Sequence, residues 1–216
     1  MRNKIFWLLT AALVSSQAAA DPYRYRPQPE RGRTWVIEGN ELYLEEARQP
    51  RRVVKLPAWQ WAGQPYACAP DIAIGPRGEA VVTSNVLPVL WKIDPDTLAV
   101  SMHRVQLDAD QDKDVGFSGL VYSEQHGAYL AISELTGTLW RIDPLLRRAQ
   151  KVAISEPLFG GCAVSQPRRD RGNRATRLCV ARPDGAWQVS FAPDQRSAYV
   201  QPGGCPDAFA LKGGSR

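Results

Sequence analysis

Apolar and polar positions alternate along this chain in short runs, and the runs recur. Asp71-Ile72-Ala73-Ile74 ends at the turn Gly75-Pro76-Arg77-Gly78. Ala80-Val81-Val82-Thr83-Ser84 follows, then Val89-Leu90-Trp91-Lys92-Ile93-Asp94, then a fourth run from Leu98 to Val105. The same order returns as Gly119–Tyr122, Ala128–Ser133, Thr138–Asp143 and Ala149–Ile154. Its clearest phrases, Leu90-Trp91-Lys92-Ile93-Asp94-Pro95 and Leu139-Trp140-Arg141-Ile142-Asp143-Pro144, lie 49 positions apart. Alternation with period two, bounded by Gly, Pro, Asn and Asp, predicts strands joined by tight turns. No stretch carries a 3.6 period through three turns, which rules out a helical domain.

Looser copies flank the clear pair. Gly161-Cys162-Ala163-Val164, Arg177–Ala181, Ala186–Val189 and Ser197–Val200 form one, with Trp187 in the place of Trp140 after a one-residue gap. Trp35–Ile37, Glu41–Leu44 and Arg52–Leu56 form the other, stopped by Pro57 and turned at Glu38-Gly39-Asn40. Four short strands per unit, a unit of roughly 40–50 residues and a Trp at a fixed place predict an all-β fold, a small β-propeller of four blades. A two-sheet sandwich would explain the alternation but not the repeat. Residues 21–32, rich in Pro, Arg and Tyr, are expected to form an extended N-terminal arm. Cys205-Pro206-Asp207-Ala208-Phe209-Ala210-Leu211 echoes Cys68-Ala69-Pro70-Asp71-Ile72-Ala73-Ile74. The first unit looks one strand short, so about 207–211 is expected to complete it, close the ring and leave no bare sheet edge. The blades then span about 33–66 plus 204–212, 67–115, 116–158 and 159–202, all within a propeller domain of residues 33–216.

Phe117-Ser118-Gly119-Leu120-Val121-Tyr122, Tyr129-Leu130-Ala131-Ile132-Ser133-Glu134 and Leu139-Trp140-Arg141-Ile142-Asp143-Pro144 resemble blades of the gluconolactonase-like, phytase-like and NHL-like β-propellers. The resemblance covers two blades well and two poorly, and its motif is structural. Those families include metal-dependent hydrolases and plain binding proteins, so the fold alone does not choose between them. A gluconolactonase-like site would gather carboxylates and amides around a divalent metal near the axis. The residues here that could do so are Glu38, Asn85, Glu134 and Asp184, and Asn85 and Glu134 are equivalent by the repeat.

Composition sets the compartment. Met1-Arg2-Asn3-Lys4, an apolar run from Ile5 to Val14 and the small residues ending at Ala20 have the layout of a signal peptide, residues 1–20. The run is shorter than the roughly 20 residues that span hydrocarbon, and no later stretch is apolar enough to form a transmembrane segment. The product is expected to be periplasmic or secreted. A formal charge of +5 is too mild to imply nucleic acid, and no aromatic platform accompanies the arginines. Cys68, Cys162, Cys179 and Cys205 are expected to form two disulfides in an oxidising compartment. Of three possible pairings, Cys68–Cys205 with Cys162–Cys179 suits the closed ring. The rival is a thiolate metal site near the axis, built from reduced cysteines at the blade entries.

Two charged loops remain. Asp108, Asp110, Asp112 and Asp114 alternate through one loop, the spacing with which a chain wraps Ca²⁺. Lys113 stands where a calcium loop of the EF type has Gly, and no Glu occupies the twelfth position. Arg168, Arg169 and Arg171 lie in a long inter-strand loop and suit phosphate or carboxylate groups. His103 and His126 have no partner spacing, and no Ser-His-Asp order or nucleophile elbow is visible, so no catalytic residue is assigned. The function expected is binding, by loops at one end of the blades, of a protein or a small anionic partner. The alternatives are a calcium-dependent lactonase- or phytase-like hydrolase and a structural accessory subunit of an envelope complex.

Overall fold

A computed structural model describes residues 23–63, 66, 68–165, 177–203 and 205. The signal peptide, the arginines 168, 169 and 171 and the expected closing strand fall outside these residues.

Among the described residues the regular structure is all strand, apart from one short 3-10 turn at Pro29–Arg31. Four antiparallel meanders follow one another. The first is β1 (Tyr23–Gln28), β2 (Arg33–Glu38), β3 (Glu41–Glu46) and β4 (Arg52–Val54). The second is β5 (Ile72–Ile74), β6 (Ala80–Thr83), β7 (Val89–Ile93) and β8 (Val100–Arg104). A short β9 (Gln106–Leu107) precedes the third, which is β10 (Gly119–Ser123), β11 (Ala128–Ser133), β12 (Thr138–Ile142) and β13 (Arg148–Ile154). The fourth is β14 (Ala163–Ser165), β15 (Arg177–Arg182), β16 (Gly185–Phe191) and β17 (Ser197–Pro202). The outer strand β13 also pairs in parallel with β9 at one end and β17 at the other.

The N-terminal arm expected from composition is a strand instead. β1 pairs with β2 along its whole length, from Tyr23 opposite Glu38 to Gln28 opposite Arg33. Its alternation escapes a hydropathy pattern because the inward residues are Arg24, Arg26 and Gln28. Each finds polar partners. Gln28 is fully buried, receives Arg33 Nε at 2.8 Å and Trp35 Nε1 at 3.2 Å, and donates to the Gly78 carbonyl at 2.9 Å. Buried polar groups with such partners cost little, whereas unpaired ones would exclude the segment from the sheet. β1 therefore fills the place in the first unit that residues 207–211 were expected to take.

Three apolar cores join the four units. Trp35, Ile37, Leu42 and Leu44 meet Ile72, Val82, Trp91 and Ile93 between the first and second. Val81, Leu90 and Val105 meet Phe117, Leu120, Tyr129 and Trp140 between the second and third. Leu130, Ile132, Leu139 and Val152 meet Val164, Leu178, Val180 and Val189 between the third and fourth. The repeated Trp always faces the preceding unit, and its indole N–H is satisfied: Trp91 donates to the Pro57 carbonyl at 2.8 Å and Trp140 to Thr138 Oγ1 at 2.7 Å. A buried Trp removes on the order of 200 Å² from water, which makes these side chains the largest single contributors to the cores. The first and fourth units meet at Arg24, which donates to the Cys162 carbonyl.

The candidate axial site

The meander geometry divides the turns between two ends. Turns between second and third strands, and the connections from one unit to the next, lie at one end. Turns between first and second strands, and between third and fourth, lie at the other. Glu38, Asn85, Glu134 and Asp184 all belong to the first end, but they do not form one site.

Asn85 follows β6 and is buried. Its amide donates to the carbonyls of Cys68 at 2.9 Å and Ala62 at 2.7 Å and accepts the Ala62 N–H at 3.0 Å. Ser84 Oγ donates to the Gln60 carbonyl at 2.6 Å, and Trp59 Nε1 to the Thr83 carbonyl at 2.9 Å. Together these pin the connection between the first two units against the end of β6. Asn85 is thus a structural clamp. Glu134 follows β11 at the equivalent place and is buried too, at 5 % exposure. By contrast, Glu38 is exposed and paired with Arg51 at 2.5 Å. Asp184 is exposed, accepting from Arg182 and from Trp187 Nε1, each at 3.0 Å.

Sulfur links the second and fourth units at this end. Cys68 enters the second unit and Cys162 the fourth, and the two are joined as a disulfide across 94 residues. Cys179 is joined to Cys205. This corrects the expected pairing of Cys68 with Cys205 and Cys162 with Cys179. The register explains it: β14 sets Ser165 opposite Cys179, so Cys162 lies beyond the paired residues and at the axis. Cys205 follows β17 and reaches Cys179 on β15. A carboxylate oxygen of Glu134 and the two sulfurs of Cys68 and Cys162 lie within 4.8 Å of one another. Ser118 Oγ donates to the Gly161 carbonyl at 2.7 Å beside them. Arg24 completes the ring of contacts, donating to the carbonyls of Pro70 at 3.3 Å, Ala69 at 3.4 Å and Cys162.

The acidic loop does not converge on a point. Asp108 Oδ1 accepts the Lys151 N–H at 2.8 Å. Asp110 pairs with Lys151 and, at 3.1 Å, with Lys113, which together hold its carboxyl below the ordinary range. Asp112 and Asp114 are exposed. The described residues therefore do not assemble the four carboxylates around a calcium position. The arginine loop leaves β14 at Ser165 and returns at Arg177, the end of the fourth unit opposite Cys162. Arg168, Arg169 and Arg171 themselves lie outside the described residues.

His126 lies at the interface of the third and fourth units, its ring 4.4 Å from that of Phe191. Nδ1 is 2.8 Å from Ser123 Oγ, and burial, aided by Arg141, holds its pKa below the ordinary value. His103 lies apart, 2.9 Å from Ser101 Oγ. At the end away from the axial disulfide a cavity of 390 Å³ is lined by Arg77, Glu79, Lys92, Asp94 and Asp96 among others. Its carboxylates are already engaged: Asp94 caps its own turn through Thr97, Asp96 pairs with Arg31 at 2.6 Å, and Glu79 accepts the Arg77 N–H at 2.8 Å.

Sequence reasoning missed Arg24, Arg26 and Asp71. The arginines were hidden in a segment read as an arm. Asp71 stands in the Cys68–Gly75 phrase, where it could have been noticed as the one charge entering a buried strand.

No family model matches this sequence, and no curated protein matches it. Solved structures match it in fold. A catalytically inactive virginiamycin B lyase from Staphylococcus aureus, crystallised with quinupristin, superposes with a TM-score of 0.62 at 14 % identity, over 87 % of this chain and 57 % of that one. An auxiliary nutrient binding protein from Bacteroides thetaiotaomicron gives 0.54 at 11 % identity, over 86 % and 43 %. Hydrazine synthase from Kuenenia stuttgartiensis gives 0.53 at 12 % identity, over 89 % and 51 %. The chain spans about half the length of the chains it matches. At these identities the likeness establishes a β-propeller fold and no activity.

Proposed function

We infer that this chain is a periplasmic or secreted binding protein or scaffold, and that it recognises a protein partner by the end of its strands that carries the axial disulfide. The four meanders act as four blades about one axis. One observation carries the reading: Leu87, Leu135 and Phe159 are exposed at that end, Phe159 by 55 %, next to connections that Asn85, Ser84 and the disulfide hold rigid. Exposed apolar side chains on a fixed frame are what a partner surface needs, since little entropy is lost on docking. Asn85, Glu38 and Asp184 are spent on local contacts, which favours binding over a lactonase-like hydrolase. Two disulfides and the N-terminal sequence support an oxidising compartment. Among the described residues no helix is long and apolar enough to cross a membrane.

The test is capture from a periplasmic extract by the purified protein, by Leu135→Glu/Phe159→Glu, and by Arg168→Ala/Arg169→Ala/Arg171→Ala. Loss of a partner in the first variant alone supports the reading. Loss in the arginine variant alone, with steep salt dependence, would transfer recognition to an anionic ligand of the arginine loop.

A further inference from the structure

The axial disulfide has a third potential metal ligand built against it. Glu134 is buried, and its carboxylate stands within 4.8 Å of both Cys68 Sγ and Cys162 Sγ. A tetrahedral zinc ion with thiolate bonds of about 2.3 Å separates its ligands by about 3.8 Å, so the sulfurs, 2.05 Å apart in the disulfide, need to part by only about 1.7 Å on reduction, while the Glu134 oxygen already stands within 4.8 Å of both. Two connections between units and one turn, β11–β12, supply them, each held by its own hydrogen bonds. Asn85 fixes the Cys68 carbonyl, Ser118 fixes Gly161 beside Cys162, and the Gly160 N–H donates to the Glu134 carbonyl at 3.2 Å. Reduction therefore frees the sulfurs without freeing the backbone that carries them.

We propose that Cys68, Cys162 and Glu134 form a redox-gated site for a soft divalent metal such as zinc, closed as the disulfide and opened by a dithiol reductant. Cys162 is half-buried and Cys68 is 2 % exposed, so an incoming thiolate attacks Cys162 Sγ. The Cys68–Cys162 bond breaks, a mixed disulfide forms at Cys162, and Cys68 leaves as the thiolate. The reductant's second thiol then attacks its own sulfur in the mixed disulfide and departs oxidised to a disulfide, leaving both cysteines reduced. Two electrons enter, and two protons are held by the thiols until metal binding releases them. Two thiolates and one carboxylate carry three negative charges. The metal offsets two of these charges, and the Arg24 guanidinium, bonded to the Cys162 carbonyl, adds positive charge beside the site. Thiolates select a soft cation over calcium, and three protein ligands leave the fourth position to water.

The site is tested on the purified protein with cobalt(II) as probe, before and after reduction with a phosphine, which does not itself supply competing thiols. The reduced protein is expected to take up one cobalt per chain with a thiolate-to-cobalt charge-transfer band, displaced by zinc, while the oxidised protein shows no band. Glu134→Gln weakens affinity at least tenfold, and Cys68→Ser/Cys162→Ser abolishes the band with Cys179 and Cys205 still present. Zinc raises the unfolding temperature of the reduced protein. An unchanged band in Cys68→Ser/Cys162→Ser, unchanged affinity in Glu134→Gln, or a lowered unfolding temperature with zinc, which marks capture by unfolded thiols, overturns the proposal.

Discussion

The carboxylate of Asp71 accepts the backbone N–H of Leu120 through Oδ2 at 3.0 Å, and the two residues are separated by 49 positions, the length of the repeat. Leu120 pairs in its hairpin as Ile72 does in the preceding one, so Asp71 stands one residue ahead of the equivalent place, at the entry to its inner strand. The other oxygen, Oδ1, receives the Ile72 N–H at 2.8 Å and the Arg26 guanidinium at 3.2 Å. One buried side chain thus joins the inner strands of three units. Asp71→Ala leaves the Leu120 N–H and Arg26 without it and is expected to cost about 2–4 kcal/mol. Asp71→Asn keeps an acceptor, loses the charge, and is expected to cost about 1–2 kcal/mol. Urea midpoints at constant m-value measure both.

The Trp series ranks the cores. Trp140 is fully buried and Trp187 only half-buried. Trp140→Ala is expected to destabilise by about 3–5 kcal/mol. Trp187→Ala should cost clearly less, because its ring is only half-buried and is covered on one face by the Arg182 guanidinium, 4.2 Å from the ring centre. Equal losses in chemical denaturation would show that the fourth unit packs more tightly than described.

Gly116 tests the junction of the second and third units. A Cβ there would lie 2.0 Å from the Asn85 backbone carbon and 2.1 Å from its oxygen. Neither atom can yield without moving the Asn85 clamp. Gly116→Ala is expected to cost about 2–3 kcal/mol by forcing the backbones apart, and to speed proteolysis of the connection 55–71. Unchanged thermal stability would contradict this close approach.

His126 makes stability depend on pH. Burial holds its folded pKa below the value of the unfolded chain, about 6.5. Below that value the unfolded state binds a proton that the folded state refuses, so its protonation favours unfolding. The His126 contribution is fully present above about pH 6.5 and is lost as pH falls toward the folded pKa. His126→Gln, which keeps a polar partner for Ser123 without titrating, should flatten the unfolding free energy across this window. An unaltered pH profile would remove His126 as the cause.

The sequence showed the repeat because in the second and third units the inward positions are apolar, so period two and the fixed Trp stand out. The first strand was invisible for the opposite reason. Arg24, Arg26 and Gln28 face inward, and only the tertiary partners of these side chains make β1 a strand. The candidate site was half legible. Asn85 and Glu134 were singled out by equivalence in the repeat and both lie buried at the axial end, but Glu38 and Asp184, in similar turns, point to local arginines. Register across β14 and β15 decided the cysteine partners, and a one-dimensional pattern with an eleven-residue gap between those strands does not fix register.

The most direct test of the account is disulfide mapping of the unreduced, proteolysed protein by mass spectrometry, with thiols blocked at the outset. Joined peptides containing Cys68 with Cys162, and Cys179 with Cys205, are the predicted result and would fix the second and fourth units at a common axis. Peptides joining Cys68 to Cys205 and Cys162 to Cys179 would contradict it, returning the C-terminus to ring closure and removing the axial site.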